Sequence, residues 1–284
     1  MSGLLKHWRI VAPVILICSL LLTVVPSAMA ASVGHGASPS SSKEYYLALG
    51  DSLAFGFQPN LDFRHGYVDD LSKYLVAHDD EFQPVANMAC NGETSTTMLN
   101  GKCPYPSIRK YPYKGAQFEA ALDYLHQHAG HVALVTLDIG ANDTKNDINL
   151  QTCKIEKQKF ATDLATLDKN LTHTILPQLE AALTINGQAT GQLIVMNYYD
   201  PFQNICSDTV PFTEELNQHL GNDVGDYGTF VNVFHAFGGA KVPNPNICSY
   251  TWMCQKVPDI HATDLGYRVI EDVFEDALQS EILA

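Results

Sequence analysis

Four short stretches of the chain hold the residue types that catalysis uses, and each follows an apolar run or precedes a helix. Gly50-Asp51-Ser52-Leu53 offers a hydroxyl beside a carboxylate, and Cys90-Asn91-Gly92-Glu93 a glycine between polar side chains. Gly140-Ala141-Asn142-Asp143 offers an amide and an acid, and Asp259-Ile260-His261 an imidazole two residues after a carboxylate. A serine hydroxyl becomes a useful nucleophile when a neighbouring base takes its proton, and a neutral histidine titrating near the working pH is suited to that task. Ser52 and His261 are the candidates for nucleophile and base. Singly, each residue has a plainer reading: Ser52 as a helix cap, Gly92 and Gly140 as turn residues, Asn142 as a partner of local backbone. Their joint placement carries the argument.

That placement follows from the elements. Short apolar runs alternate with helical periodicity, the pattern of a parallel sheet covered by helices on both faces. Tyr45-Tyr46-Leu47-Ala48-Leu49 reads as the first strand, Val85-Ala86-Asn87-Met88-Ala89 as the second and Val132-Ala133-Leu134-Val135-Thr136-Leu137 as the third. Leu193-Ile194-Val195-Met196-Asn197 and Phe230-Val231-Asn232-Val233 follow as the fourth and fifth. Between the third and fourth, Phe160, Leu164, Leu167, Leu171, Ile175, Leu179 and Leu183 recur three or four apart, a helix that Pro177 should kink or split. The last helix should begin near Thr263 or Asp264 and bury Leu265, Val269, Val273 and Leu278. In open α/β sheets ligands sit outside the C-terminal ends of the strands, so all four stretches should meet on one rim.

On these four stretches the chain resembles the GDSL or SGNH hydrolase superfamily, named for a serine, glycine, asparagine and histidine in separate blocks. Ser52, Gly92, Asn142 and His261 occupy them in order, from Tyr46 to about Phe274. The resemblance implies a single-domain, three-layer α/β/α sandwich with a flavodoxin-like parallel sheet of about five strands. It also implies carboxylic ester hydrolysis through an acyl-enzyme on Ser52, with no cofactor and no metal. By the same resemblance an oxyanion hole is formed by the Ser52 and Gly92 backbone N–H groups and the Asn142 side-chain amide. Donors aimed at a developing oxyanion are each worth roughly 10²–10³ in rate. Many relatives place an aspartate three residues before the histidine. Here that position is Pro258, and the acid, Asp259, stands only two before. Either Asp259 reaches the second imidazole nitrogen, or the Pro258 carbonyl orients the ring; the carboxylate is preferred as third catalytic residue.

Residues 1–30 carry the zones of a secretory signal peptide: Lys6 and Arg9, an apolar run over residues 10–25, and Ala28-Met29-Ala30 before the expected cleavage. A small, polar leader follows over residues 31–43, and residues 44–284 should form the hydrolase domain. Export and an extracellular location are expected, with no stable membrane span after cleavage. The exported part holds six cysteines, an even number suited to disulfides in an oxidising compartment. Short loops close most easily, which pairs Cys90 with Cys103, Cys248 with Cys254 and, by elimination, Cys153 with Cys206. Zinc is disfavoured, because no Cys-x-x-Cys pair is present. His126 and His128, two apart on a helix, cannot chelate together with His131 and read as solvated.

The net charge of −14 becomes −16 once Lys6 and Arg9 leave with the signal peptide, since residues 1–30 contain no acid. Nucleic acid is a poor partner for such a chain, and electrostatic docking on an anionic membrane is disfavoured. A monomer acting on a small-molecule or lipid ester is expected. Phe55, Phe57, Met88, Met98 and Phe202 near the site lean toward an acyl chain. A carbohydrate O-acetyl esterase on the same scaffold is the alternative, and a non-catalytic extracellular binding domain a third. Of the glycosylation triplets at Asn142 and Asn170, the first is discounted because a glycan would block the site.

Overall fold

Residues 43–282 are described by a computed structural model and form one compact unit. The expected signal peptide, its expected cleavage site and all of the expected leader but Lys43 lie outside the described residues.

Five parallel strands form the central sheet: β1 (Tyr45–Gly50), β2 (Ala86–Asn87), β3 (Val132–Asp138), β4 (Gln192–Met196) and β5 (Thr229–Val231). Their spatial order is 2-1-3-4-5, the flavodoxin-like arrangement, with Leu47 opposite both Ala86 and Val135. Almost every residue of β1 and β3 is buried, as expected of strands with helices over both faces. The direction of winding reverses between β1 and β3, which leaves a crevice at their C-terminal ends.

The helices are α1 (Ser52–Phe55), α2 (Tyr67–His78), α3 (Ser95–Asn100), α4 (Gln117–Gln127), α5 (Ala141–Thr144), α6 (Lys157–Asn170) and α7 (Leu176–Ala182). Then come α8 (Val210–Val224), α9 (Val233–Ala236), α10 (Pro245–Tyr250) and α11 (Asp264–Ile282). One layer joins α2 to α11, where Tyr67 and Phe274 stack at 4.9 Å, and adds α9 and α10; the other joins α3, α4, α6, α7 and α8. This is the three-layer α/β/α sandwich expected.

Several expectations are refined. The second strand shrinks to two residues, although backbone bonds from the Met88 N–H to the Ala48 carbonyl and from the Cys90 N–H to the Gly50 carbonyl carry the chain on beside β1; the Asn87 side chain meanwhile donates to the Ala54 carbonyl and accepts from the Ala89 N–H. The fifth strand ends at Val231, and Val233 instead opens α9, capped by the Asn232 side chain. The long helix divides as expected, but through a π-helical turn at Leu171–Ile175, upstream of Pro177 in the first turn of α7. Proline lacks the N–H that would bond the His173 carbonyl, and the wider turn absorbs that misfit. The last helix is rotated from the expected stripe: Tyr267, Ile270 and Phe274 are fully buried, Val269, Val273 and Leu278 flank them, and Leu265 is 47% exposed. Both sets share the three-and-four spacing, and the tyrosine is accommodated because its hydroxyl donates to the Phe57 carbonyl at 2.7 Å.

The six cysteines pair as Cys90–Cys103, Cys153–Cys206 and Cys248–Cys254, with Cα separations of 6.1, 5.2 and 5.1 Å. Glu93 lies close to the first pair, but sulfurs joined to each other are not free to ligate a metal. Among the described residues no helix is long and apolar enough to cross a membrane. His128 ends α4 and packs against the rings of Tyr45 and Tyr124, so it is less solvated than expected.

Candidate active site

The exit of β1 is built around Gly50. Its φ is +140°, and a Cβ there would overlap the Asp138 carboxylate, so no other residue fits. The Gln117 side chain clasps the same residue, accepting from its N–H at 2.7 Å and donating to its carbonyl at 3.0 Å. The chain then turns, and Asp51 Oδ1 accepts the Leu53 N–H at 2.9 Å as N-cap of α1. Ser52 is the first residue of that helix, a position where geometry provides no intrahelical acceptor for the backbone N–H.

The other Asp51 oxygen organises the exit of β3. It accepts from Asn142 Nδ2 at 3.1 Å and from the Tyr198 hydroxyl at 2.9 Å. Tyr198 is fixed in turn by Asn217 of α8, which bonds both its N–H and its carbonyl. Burial raises the Asp51 pKa, although the hydrogen bonds from the Leu53 N–H and the Tyr198 hydroxyl act against the rise. Asn142 Oδ1 accepts from Lys145 Nζ at 2.7 Å, so the amide is held at both ends while one of its two N–H hydrogens remains for a ligand. Gly140 allows this turn with φ +127°, where a Cβ would press within 2.9 Å of Leu167.

The β2 exit is drawn in by a bond from the Cys90 N–H to the Gly50 carbonyl, and Gly92 adopts φ +77°. Thr94 caps α3. Ser95 then donates its N–H and its hydroxyl to Asp143, which joins this loop to that of Asn142. Burial pushes the Asp143 pKa up to about 6.

The histidine arrives on a strap. Thr251 and Ala262 form an antiparallel bridge, the Trp252 N–H bonds the His261 carbonyl at 3.0 Å, and the Tyr199 hydroxyl holds the Ile260 carbonyl at 2.8 Å. Within this frame His261 Nε2 lies 2.8 Å from Ser52 Oγ and Nδ1 lies 2.6 Å from Asp259 Oδ1. The same Asp259 oxygen accepts the His261 backbone N–H at 2.9 Å, a turn closed because the acid is two residues away. Burial alone would raise the Asp259 pKa, but the two hydrogen bonds and the nearby charge of His261 outweigh it and hold the carboxyl below its usual range. Phe57 covers the imidazole, ring centres 4.5 Å apart.

Two recesses open from Ser52, Asn142 and His261. One, of about 60 Å³, is mostly apolar and lined by Leu53, Ala141, Tyr198, Tyr199, Pro201 and Ile260. The other, of about 350 Å³, is lined by Phe57, Asn91, Gly92, Tyr105, Ile108 and Lys145. Of the five apolar residues expected near the site only Phe57 lines either of these two recesses. Phe55, Met88 and Met98 are core, and Phe202 lies partly buried after β4.

A family model described as the GDSL-like lipase/acylhydrolase family matches residues 48–269. The chain belongs to the GDSL-like lipase/acylhydrolase family. No curated protein matches it. Among solved structures, a phospholipase A1 from Streptomyces albidoflavus is similar at 16% identity and TM-score 0.50, over 83% of this chain and 99% of that one. An acetylxylan esterase from Geobacillus stearothermophilus aligns at 17% identity and TM-score 0.52, over 82% and 93%. A psychrotrophic esterase from Pseudoalteromonas sp. aligns at 15% and 0.50, over 85% and 100%. At such identities these likenesses speak for the shared fold.

In this GDSL family member all five expected site residues, Ser52, Gly92, Asn142, Asp259 and His261, stand at one rim. Sequence reasoning passed over the parts that hold them. Asp51, before a helix start, carries an N-cap signal that was there to be read. Gln117, Tyr198 and Ser95 have no local signal, since each acts across 48 to 147 positions of chain. Asn170 of the second glycosylation triplet is bonded to Ser95 and Thr96 within the fold, which argues against a glycan there.

Proposed function

We propose that the protein is an exported carboxylic ester hydrolase in which Ser52 attacks the ester carbonyl. The observation that carries this reading is the unbroken chain of hydrogen bonds from Ser52 Oγ through the His261 ring to Asp259, at 2.8 and 2.6 Å. His261 Nε2 takes the serine proton and returns it to the leaving alkoxide, while ionised Asp259 holds the ring and stabilises its cationic form. The Ser52 and Gly92 N–H groups and the free N–H of Asn142 receive the oxyanion. Water then repeats the sequence on the acyl-enzyme. The apolar recess suits the acyl group and the wider one the alcohol.

A monomer exported by a cleaved signal peptide over residues 1–30, with its hydrolase domain over residues 44–284, completes the proposal. Three disulfide pairs support an oxidising destination. A sugar O-acetyl esterase is the second reading, favoured by the modest size of the apolar recess. Hydrolysis rates of nitrophenyl esters from acetate to long chains, beside acetylated xylan, separate the two. A serine-directed phosphonate should label Ser52 alone, and Ser52→Ala should fold normally without turnover. Unimpaired hydrolysis by that variant rejects the nucleophile, and inert wild-type protein leaves a binding domain.

A further inference from the structure

The acidic total conceals a local reversal. Residues 94–118 contain no Asp or Glu but four cations, Lys102, Arg109, Lys110 and Lys114. Lys110 is matched by Asp69 at 2.6 Å, and Arg109 lies over the Tyr113 ring. Lys102 and Lys114 are exposed and belong to no ion pair among the described residues. Lys145 adds another cation at the wider recess.

Tyr105 and Ile108 of the same segment line that recess, whereas Lys114 lines a separate surface recess beside Glu119 and Asp123. Cys103 is tied to Cys90, and Pro104 and Tyr105 cover Gly92 so closely that a Cβ there would stand 3.3 and 3.8 Å from them. Tyr105 is 58% exposed, Ile108 40%, and Ile260 of the histidine strap 37%, and all three line the one recess. Apolar side chains grouped in water beside cations are the composition of a surface that enters a lipid headgroup layer. An acidic polysaccharide would answer the cations and leave the apolar side chains unused.

We propose that the rim formed by residues 102–114 and Ile260 is a docking surface for an anionic lipid surface. Aggregate charge disfavours such contact, but screening confines each charge to about 8–10 Å at ordinary salt, so the local sign decides. Docking by this rim sets the wider recess against the lipid layer. That this delivers esters to Ser52 rests on the ester-hydrolase reading; the docking itself does not.

The test uses purified protein and vesicles of ether-linked lipids, which contain no ester to hydrolyse. Binding to vesicles of ether-linked phosphatidylglycerol and phosphatidylcholine should exceed binding to phosphatidylcholine alone by at least about tenfold, and fall with added salt. Lys102→Glu with Lys114→Glu should remove most of that preference, at about fivefold or more per cation, and leave nitrophenyl acetate hydrolysis unchanged. Ile108→Ser should weaken binding to both vesicle types. Equal binding to neutral and anionic vesicles, or an unchanged preference in the double variant, overturns the proposal. So does retention on polygalacturonate without vesicle binding, which would assign the rim to acidic polysaccharide. Docking without hydrolysis of any ester would sink the catalytic reading and leave the docking surface standing.

Discussion

Asp143 binds Ser95 by three hydrogen bonds: the Ser95 N–H reaches both carboxylate oxygens, at 3.1 and 2.9 Å, and its hydroxyl reaches one, at 2.6 Å. Through that contact the Gly92 and Asn142 loops, on separate strands, keep a fixed spacing. The acid's pKa is pushed up to about 6 by burial. A raised acid contributes stability that is fully present below about pH 4 and is lost as pH rises through about 6, here roughly 2–3 kcal/mol if the shift is complete. Melting temperatures from pH 4 to 7 should therefore decline less steeply for Asp143→Asn than for wild type. Parallel curves would show that the group titrates as it does in the unfolded chain.

Replacing Asp259 by asparagine should reduce kcat by about 10³–10⁴, since the amide cannot stabilise the imidazolium and favours the wrong tautomer. The depressed carboxyl pKa keeps the wild-type partner ionised at and above pH 4, so its contribution disappears only as pH falls below that range. Rate profiles for both proteins decide the matter. A loss under about tenfold, with an unmoved acid limb, would transfer the orienting role to the Pro258 carbonyl.

Asn142 and Lys145 should fail together. Asn142→Ala removes an oxyanion donor and should lower kcat by roughly 10²–10³ with little change in KM. Lys145→Met frees the amide oxygen that the ammonium holds at 2.7 Å, so kcat should fall by about threefold to tenfold, with recovery in Lys145→Arg. Once Asn142 is gone, Lys145→Met should cost little more. Additive losses in the double variant would mean that the lysine acts elsewhere.

The three disulfides should divide stability and activity unequally. Cys153–Cys206 closes a loop of 53 positions and Cys248–Cys254 one of 6, so chain entropy assigns about 4 kcal/mol to the first and about 2 to the second. Yet the short loop braces the strap that bears His261. Serine replacement of Cys153 and Cys206 should lower Tm more and kcat less than the same change at Cys248 and Cys254. Denaturant midpoints and kcat for both pairs give the comparison, and the reverse ranking would refute it.

Much of the sheet was legible because buried parallel strands are continuous apolar runs, and three of the four chemical blocks stand where those runs end, the fourth just before the last helix. The structure departs where two readings share one period. Leu265 and Tyr267 offer equally regular stripes on the last helix, and the tyrosine stripe is the one that gains long-range partners, the Phe57 carbonyl for the Tyr267 hydroxyl and the Tyr67 ring for Phe274. Apolar type could not separate Phe57, beside His261, from Phe55 two residues earlier in the core. The acceptor role of Asp51 is not legible in its own block, since it depends on Asn142 and Tyr198, 91 and 147 positions away.

On the proposed mechanism, the strap that carries His261 also fixes when the molecule becomes active during its own synthesis. Nucleophile and amide donor emerge early, and the bridge between Thr251 and Ala262 can close only after both are made. Until then the serine has no base. A nascent or prematurely terminated chain is chemically silent toward the esters around it, so turnover reports a chain finished through its histidine strap.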